Sequence, residues 1–237
     1  MPVLKLPSKY PRVKVVKIGS LRLDIGEYSG PTLIKVKQEL GVGGGSTVTL
    51  VESDRLILVD TGFDFEECAD EANRRRNAEV MASALRLVGI SAENVDAVFI
   101  THWHRDHFGN IDLFPRAKRL VSAPLWESLN RQGFEGFHAV KDGEEIADGV
   151  RVLYTPGHTD HHASVLVASR LAGLKARVAI AGDAIISSSY FAQKKVWKQN
   201  ADFYDYKAAL ESVKLLVDVS DIIIPGHGAP FTTYRPA

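Results

Sequence analysis

The amino-acid sequence predicts an α/β layered domain. Short apolar runs typical of β-strands alternate along the 237 residues with two segments of helical periodicity. Hydrophobic residues make up 45% and charged residues 24% of the chain, which is an ordinary globular composition. No linker-like stretch divides the sequence. We therefore expect a single domain over residues 1–237, in which residues 1–40 form a strand-rich extension to the core.

The expected strands are apolar runs bounded by turn residues. In the first third of the chain they are Val13–Ile18, Leu21–Ile25, Leu33–Val36, Val48–Val51 and Leu56–Val59. The last two flank residues 52–54 and predict a hairpin, and glycine-rich residues 41–45 predict a loop. The later strands are expected at Ala97–Thr101, Val150–Thr155, Ala163–Val167, Val178–Ala181 and Ile222–Ile224.

Two helices are predicted from apolar residues that recur at helical spacing. The first is marked by Val80, Met81, Ala84, Leu85 and Val88, and Gly89 is placed to end it. The second covers about Phe203–Val217, with Asp202 or Asn200 expected to cap its start.

Charge and cysteine content exclude several classes of protein. Twenty-nine basic residues balance 29 acidic ones, so no net field attracts nucleic acid or anionic lipid. The single cysteine, Cys68, excludes an internal disulfide framework and a cysteine zinc finger, and an inert thiol is its favoured interpretation. Neither a signal peptide nor a membrane-spanning segment is recognisable. We expect a soluble, cytoplasmic protein.

The chemistry is concentrated in the segment that follows the strand at 97–101. His102, His104, Asp106 and His107 fall within six residues there. Because residues i and i+2 of an extended segment point the same way, His102 and His104 can bind one ion. Asp106 and His107 follow the turn and can reach a second ion beside the first.

Three further ligand-type residues occupy the same kind of position at a strand end. His158, Asp183 and His227 each follow an apolar run and a turn residue. Five histidines and two aspartates, with no cysteine, favour zinc, with manganese, iron or cobalt as alternatives. Seven ligands exceed one tetrahedral site and indicate two adjacent ions that share a carboxylate.

The run His102-Trp-His-Arg-Asp-His107 resembles the His-x-His-x-Asp-His signature of the metallo-β-lactamase superfamily. The Asp-Thr-Gly at 60–62, the two Pro-Gly-His sequences and the Gly-Asp at 182–183 match other marks of this family in the same order. The resemblance spans residues 45–231 and is further similar to a subgroup of small, single-domain members. It implies an αββα sandwich with the site at one edge of its two sheets.

The resemblance also implies a role for each residue. His102, His104 and His158 would hold one metal ion, Asp106, His107 and His227 the other, and Asp183 would bridge them. Asp60 would orient a ligand or the bridging water. Tyr190 and Phe191 fall where related enzymes place pocket walls, although core packing explains them equally well. His161 and His162 could line the same pocket, but a structural role, with His162 beginning a strand, is the favoured interpretation.

These residues predict a dinuclear hydrolase that acts on a small-molecule ester, thioester or lactone. A bridging water, acidified by two divalent ions, would supply hydroxide, and Asp106 and Asp183 would orient it and carry a proton. A homodimer is compatible with the sequence. Asp183 stands where the commonest β-lactamases have cysteine, which argues against lactam hydrolysis.

Two alternatives remain open at this point. The first is a phosphodiesterase or ribonuclease, which would bind nucleic acid through Lys194, Lys195, Lys198, residues 74–76 or the basic N-terminal strands. The 43 residues between Asp183 and His227 are too few for the second domain of large RNA-cleaving members, and the ten after His227 too few for a glyoxalase II helical domain. The second alternative is a mononuclear iron persulfide dioxygenase, against which the full second ligand set argues.

Overall fold

Two sheets face each other in the computed structural model, which describes residues 10–20, 45–63 and 71–233. The first sheet has the order β1-β2-β3-β4-β5-β6 and contains β1 (Arg12–Lys17), β2 (Val48–Glu52), β3 (Leu56–Val59), β4 (Ala97–Ile100), β5 (Lys118–Ser122) and β6 (Phe137–Val140). The second has the order β12-β11-β10-β9-β8-β7 and contains β7 (Glu145–Ala147), β8 (Val150–Tyr154), β9 (Ala163–Leu171), β10 (Leu174–Gly182), β11 (Ile222–Pro225) and β12 (Phe231–Thr232).

Helices cover the outer faces of both sheets. Within the described ranges they are α1 (Glu71–Leu87), α2 (Arg105–Phe108), α3 (Ala123–Arg131), α4 (Ser188–Ala192) and α5 (Tyr206–Val219). Met81 of α1 and Leu125 of α3 pack on the first sheet, and Leu216 of α5 packs on Ile223 of the second. The layers are therefore helix, sheet, sheet, helix, and the predicted αββα fold class is confirmed.

The period of two along each strand explains why so many strands are apolar throughout. In β3, Ile57 and Val59 face the core between the sheets, whereas Leu58 faces the helical layer. In β10, Ile180 faces that inter-sheet core and Ala179 faces α5. Both faces of these strands are buried, so neither face needs polar residues.

The parallel arrangement of the central strands brings their carboxyl ends to one edge of each sheet. β3 and β4 are parallel in the first sheet, and β10 and β11 are parallel in the second. β8 runs antiparallel to β9, which runs antiparallel to β10, so β8 ends at the same edge as β10. The segments after all five strands therefore meet at this edge.

Most expected elements are present, with some differences. Strands β5, β6, β7 and β12 and helices α2, α3 and α4 were not predicted. The expected cap of the last helix was wrong, because α5 begins at Tyr206 and the side chain of Asp205 accepts the hydrogen bond from Ala208 N. The predicted strands Leu21–Ile25 and Leu33–Val36, residues 41–44 of the predicted loop and Cys68 lie outside the described residues.

None of the helices in the described ranges combines the length and the hydrophobicity that crossing a bilayer would require.

Phe99 provides a test of the inter-sheet core. Its side chain is fully buried between the sheets, so we expect Phe99→Ala to lower the free energy of unfolding by about 3–5 kcal/mol. Leu87, which is 88% exposed at the end of α1, is the matched control, and Leu87→Ala should change stability by less than about 0.5 kcal/mol. Urea denaturation of both variants checks this, and similar midpoints would contradict the assignment of the core.

Candidate metal centre

The loop after β4 contributes residues to two separate groups of candidate metal ligands. Thr101 and His102 directly follow the strand and are fully buried, and His104 is the N-cap of α2. The backbone N–H of His107 donates to His104 O, which closes the first turn of this helix. The turn places His107, on the helix, beside His102, with ring centroids 4.1 Å apart.

The first cluster consists of His102, His104 and His158. His104 Nδ1 lies 2.8 Å from His102 Nε2 and 3.0 Å from His158 Nε2. These nitrogens and an Asp183 carboxylate oxygen all lie within 4.8 Å of one another. Three imidazole nitrogens therefore converge on one point.

The second cluster consists of Asp106, His107 and His227. Asp106 Oδ2 lies 3.3 Å from His227 Nε2 and 3.7 Å from His107 Nε2. This cluster lies directly beside the first, since both contain residues of the same loop.

Asp183 lies between the two clusters. Its Oδ2 is 3.3 Å from His158 Nε2 in the first cluster. Its Oδ1 is 3.2 Å from His107 Nε2 and 3.4 Å from His227 Nε2 in the second. Each carboxylate oxygen therefore faces a different cluster, which is the arrangement of a bridging ligand.

Hydrogen bonds on the far side of the ring fix the position of one ring proton in His107 and in His227. His107 Nδ1 donates to Asp60 Oδ2 at 2.7 Å, and His227 Nδ1 donates to the carbonyl oxygen of Ser20 at 3.1 Å. Carboxylate and carbonyl oxygens only accept, so in the neutral ring the nitrogen that faces the cluster has the free lone pair. Such outer hydrogen bonds typically orient the histidine ligands of metals.

Asp60 connects several of these groups. It accepts hydrogen bonds from the backbone N–H and the hydroxyl of Thr101, both at 2.9 Å, as well as from His107. Because the Thr101 hydroxyl donates to Asp60, it accepts from His102 Nδ1 at 3.1 Å, which directs His102 Nε2 into the first cluster. Asp60 has a φ of 60°, a conformation that aspartate tolerates and that these bonds hold in place.

The electrostatics of the site favour a positive charge at its centre. Burial by itself would lower the pKa of His107, yet the carboxylates of Asp183, Asp60 and Asp106 raise it well above its ordinary value. Burial would likewise lower the pKa of His227, and Asp183 reverses this. Burial, reinforced by other histidines, lowers the pKa of His158 to about 4.

Two buried atoms at the centre lack hydrogen-bond partners among the described residues. They are His107 Nε2 and Asp183 Oδ1, which face each other without hydrogen-bond geometry. A buried polar atom without a partner is costly, and a cation satisfies a lone pair and a carboxylate together. Nitrogen and carboxylate donors with these free lone pairs fit divalent metal ions such as zinc.

Residues 41–227 match the family model of the metallo-beta-lactamase superfamily. The chain belongs to this superfamily. It is also 31% identical over 193 residues to metallo-beta-lactamase domain-containing protein 1 of Xenopus laevis, covering 80% of this chain and 73% of that one. The human protein of the same name is 30% identical over 222 residues, covering 92% and 75%. The expected likeness to one subgroup of the superfamily is confirmed, and the subgroup is the one with this name.

Solved structures show the same fold. An N-acyl homoserine lactone hydrolase, with the product N-hexanoyl-L-homoserine at its catalytic metal centre, superposes with a TM-score of 0.60 and 21% identity, covering 94% of each chain. Membership of this superfamily also confirms the predicted enzyme class, a metal-dependent hydrolase.

Glycine is required in both Pro-Gly-His sequences of this superfamily member. A Cβ at Gly226 would overlap Asp183 Oδ1, so only glycine leaves room for the bridging carboxylate. A Cβ at Gly157 would overlap the backbone of Ala209, where α5 packs against the loop, and its φ of 140° also favours glycine. These glycines allow the close approach that the site needs.

Asp202 is a functional residue that sequence reasoning missed. Its carboxylate accepts a hydrogen bond from His104 Nε2 at 2.9 Å, which directs His104 Nδ1 into the first cluster. Asn200 Nδ2 donates both to Asp202 Oδ1 at 2.8 Å and to the carbonyl oxygen of His158 at 2.9 Å. The sequence offered both residues as helix caps, and no local signal connected them with a histidine 98 positions away.

The residues that were predicted to line a substrate pocket do not share one pocket in the structure. Tyr190 and Phe191 line a cavity to which none of the seven ligand residues contributes. His161 Nε2 accepts from the backbone N–H of Trp103 at 3.4 Å, and its Nδ1 donates to Asp160 at 2.7 Å. His162 is buried immediately before β9, and its Nδ1 is 2.9 Å from Thr155 Oγ1.

Replacing Asp202 tests whether it orients His104. We expect Asp202→Ala to weaken metal binding by about 10–100-fold while the fold is retained, because the ligand ring loses its outer hydrogen bond. Competition with a coloured chelator measures the affinity, and circular dichroism checks the fold. Asp112→Ala is the control, since the carboxylate of Asp112 is exposed and, in the described chain, pairs only with Arg119. Equal affinities in the two variants would contradict this role.

Proposed function

We propose that this protein is a dinuclear metal-dependent hydrolase of a small ester, thioester or lactone. Its two divalent ions, zinc in the first instance, would be held by the two clusters with Asp183 between them. The observation that carries the proposal is the position of Asp183, whose two oxygens face different clusters at 3.2–3.4 Å. One ion would leave three of the ligand residues without a function.

Two bound divalent ions would polarise the substrate oxygen and acidify a water molecule between them. We assign different roles to the two carboxylates of the site. The Asp183 side chain is only 5% exposed, so we assign it to holding the two clusters together. The Asp106 side chain is 13% exposed and directs Oδ2 to His227 and His107, so we assign it to orienting the nucleophile and passing a proton to the leaving group.

Support for a small carbonyl substrate comes from three directions. The structural neighbour described above acts on a lactone. Five of the seven ligand residues are buried at a sheet edge, and the chain has no net charge to attract a polyanion. Position 183 is an aspartate, which sets the chain apart from the commonest β-lactamases.

Phosphodiester hydrolysis is the second candidate, and the exposed lysines Lys194, Lys195 and Lys198 are the feature that favours it. Lys194 and Lys195 line the cavity that contains Tyr190, and none of the ligand residues of the clusters lines that cavity. A mononuclear dioxygenase is less well supported, because the second cluster has all its ligands.

Replacement of Asp106 tests the dinuclear assignment. We expect two metal ions per chain in the metal-replete protein and one in Asp106→Ala, since the second cluster would keep only its histidines and Asp183. Activity should fall about 10²-fold or more while the fold is unchanged. Elemental analysis counts the ions, and Asp112→Ala serves as the control. A wild-type count that never exceeds one would refute the proposal.

The class of substrate is tested by activity at different salt concentrations. We expect hydrolysis of a model thioester or lactone whose kcat/KM changes little between low and physiological salt. Binding to RNA through lysines would instead weaken steeply with salt, because phosphate contacts release counterions. RNA cleavage that falls with salt and is lost in the double variant Lys194→Ala, Lys195→Ala, without thioester or lactone turnover, would favour the phosphodiesterase.

A further inference from the structure

A cavity of about 440 Å³ lies between α4, the segment that follows it, and α5. This volume is in the range of sites that bind small molecules, about 300–1,000 Å³. The walls are mainly apolar side chains, chiefly Ile185, Ile186, Phe191, Val196, Leu210 and Val213. Leu210 is 42% exposed, so one wall is open to solvent. The cavity can therefore admit a ligand, and its walls suit a hydrocarbon.

The charged residues of this cavity are all basic. Lys194, Lys195 and Lys214 line it, and no aspartate or glutamate does so among the described residues. Lys195 Nζ donates to Gln193 Oε1 at 2.8 Å. Neither Lys194 nor Lys214 forms an ion pair with any residue in the described ranges. The cavity thus has exposed ammonium groups that can pair with an anion.

The cavity is separate from the two metal clusters, although two of its lining residues also support the backbone of a metal ligand. Ile185 and Ile186 follow Asp183 in a short 3-10 helix and in the residue after it. Their side chains line the cavity, while their carbonyl oxygens accept hydrogen bonds from Gly226 N at 3.1 Å and His227 N at 2.7 Å. A ligand in the cavity would contact this support without touching a metal ligand.

We propose that this cavity binds a fatty-acid-type ligand, a single alkyl chain that ends in a carboxylate. Hydrocarbon burial against apolar walls is favourable, whereas a polar ligand would lose its hydrogen bonds to water there without replacement. The exposed lysines that line the cavity favour an anionic head group over a neutral one. Nucleic acid suits the site poorly, since its bases and phosphates need a charged groove and not an apolar cavity. This binding does not depend on the proposed hydrolase activity.

Calorimetric titration of the full-length protein with dodecanoate tests the proposal. We expect one saturable site per chain, with affinity that falls up to about fourfold for each methylene removed from the ligand. Val213→Phe should weaken binding at least about tenfold, because the larger side chain fills the cavity.

Variants of the surface lysines distinguish binding of the ligand's carboxylate from binding of its alkyl chain. The double variant Lys194→Gln, Lys214→Gln should bind dodecanoate about three- to tenfold more weakly and bind dodecanol unchanged. Lys207→Gln is the control, because Lys207 lies on the same helix, pairs with Glu211 and does not line the cavity. These lysine replacements leave the core intact, so they remain decisive if Val213→Phe does not fold.

The absence of saturable binding to the folded wild-type protein would overturn the proposal. Binding that neither Val213→Phe nor the double lysine variant weakens would also overturn it, since the ligand would then occupy another surface. Displacement of dodecanoate by single-stranded RNA, lost in the double lysine variant, would assign the lysines to nucleic acid and reject the fatty-acid site.

Discussion

The buried carboxylate of Asp183 is the group on which the arrangement of the site depends. A carboxylate removed from water requires compensation, and here the nearby histidines provide it. Burial would raise the pKa of Asp183, but His227, His107 and His158 hold it well below its ordinary value. Those three histidines follow strands of both sheets, so the carboxylate is stable only where the two sheet edges meet.

This requirement accounts for features that are distant from the ligands in sequence. β10 and β11 must be parallel neighbours so that Asp183 and His227 end at the same edge. Gly226 must lack a side chain so that the carboxylate fits beside it. The carbonyl oxygens after Asp183 fix the backbone of His227, so the two ligands are positioned by one another. The sandwich is therefore a support for a few closely placed donor atoms.

A second layer of hydrogen bonds fixes the direction of four of the five ligand histidines. Asp60, Thr101, Asp202 and the carbonyl oxygen of Ser20 each contact the outer nitrogen of a ligand ring. They come from four separate parts of the chain, and only Thr101 is adjacent to the ligand that it contacts. The nitrogens that face the clusters are thus held in position before any ion binds, which lowers the cost of reorganisation on binding. Asp202 is half exposed, so its contact is the most accessible of the four to solvent.

The segment between α4 and α5 connects the apolar cavity with the metal centre. Lys194 and Val196 line the cavity, and a few residues later Asn200 and Asp202 contact His158 and His104. The same segment then leads into α5, where Gly157 O accepts hydrogen bonds from Tyr204 and Asp205. The outer wall of the cavity and the orientation of two ligands therefore depend on one stretch of chain.

The sequence by itself determined the layered fold and the set of candidate ligands. Apolar runs with two buried faces mark the central strands, and ligand residues cluster in the short segments after them, because both signals are local. β6 escaped prediction because two of its four residues are exposed, and β7 because it has only three residues. The family resemblance implied that Asp183 lies between the two metal ions, and its two oxygens face different clusters in the structure. Only the tertiary structure decided that Asp202 contacts His104 while Asp205 caps α5. Asp202 and Asp205 are equivalent as local helix-capping signals, and what distinguishes them is a histidine that the fold brings alongside from another sheet.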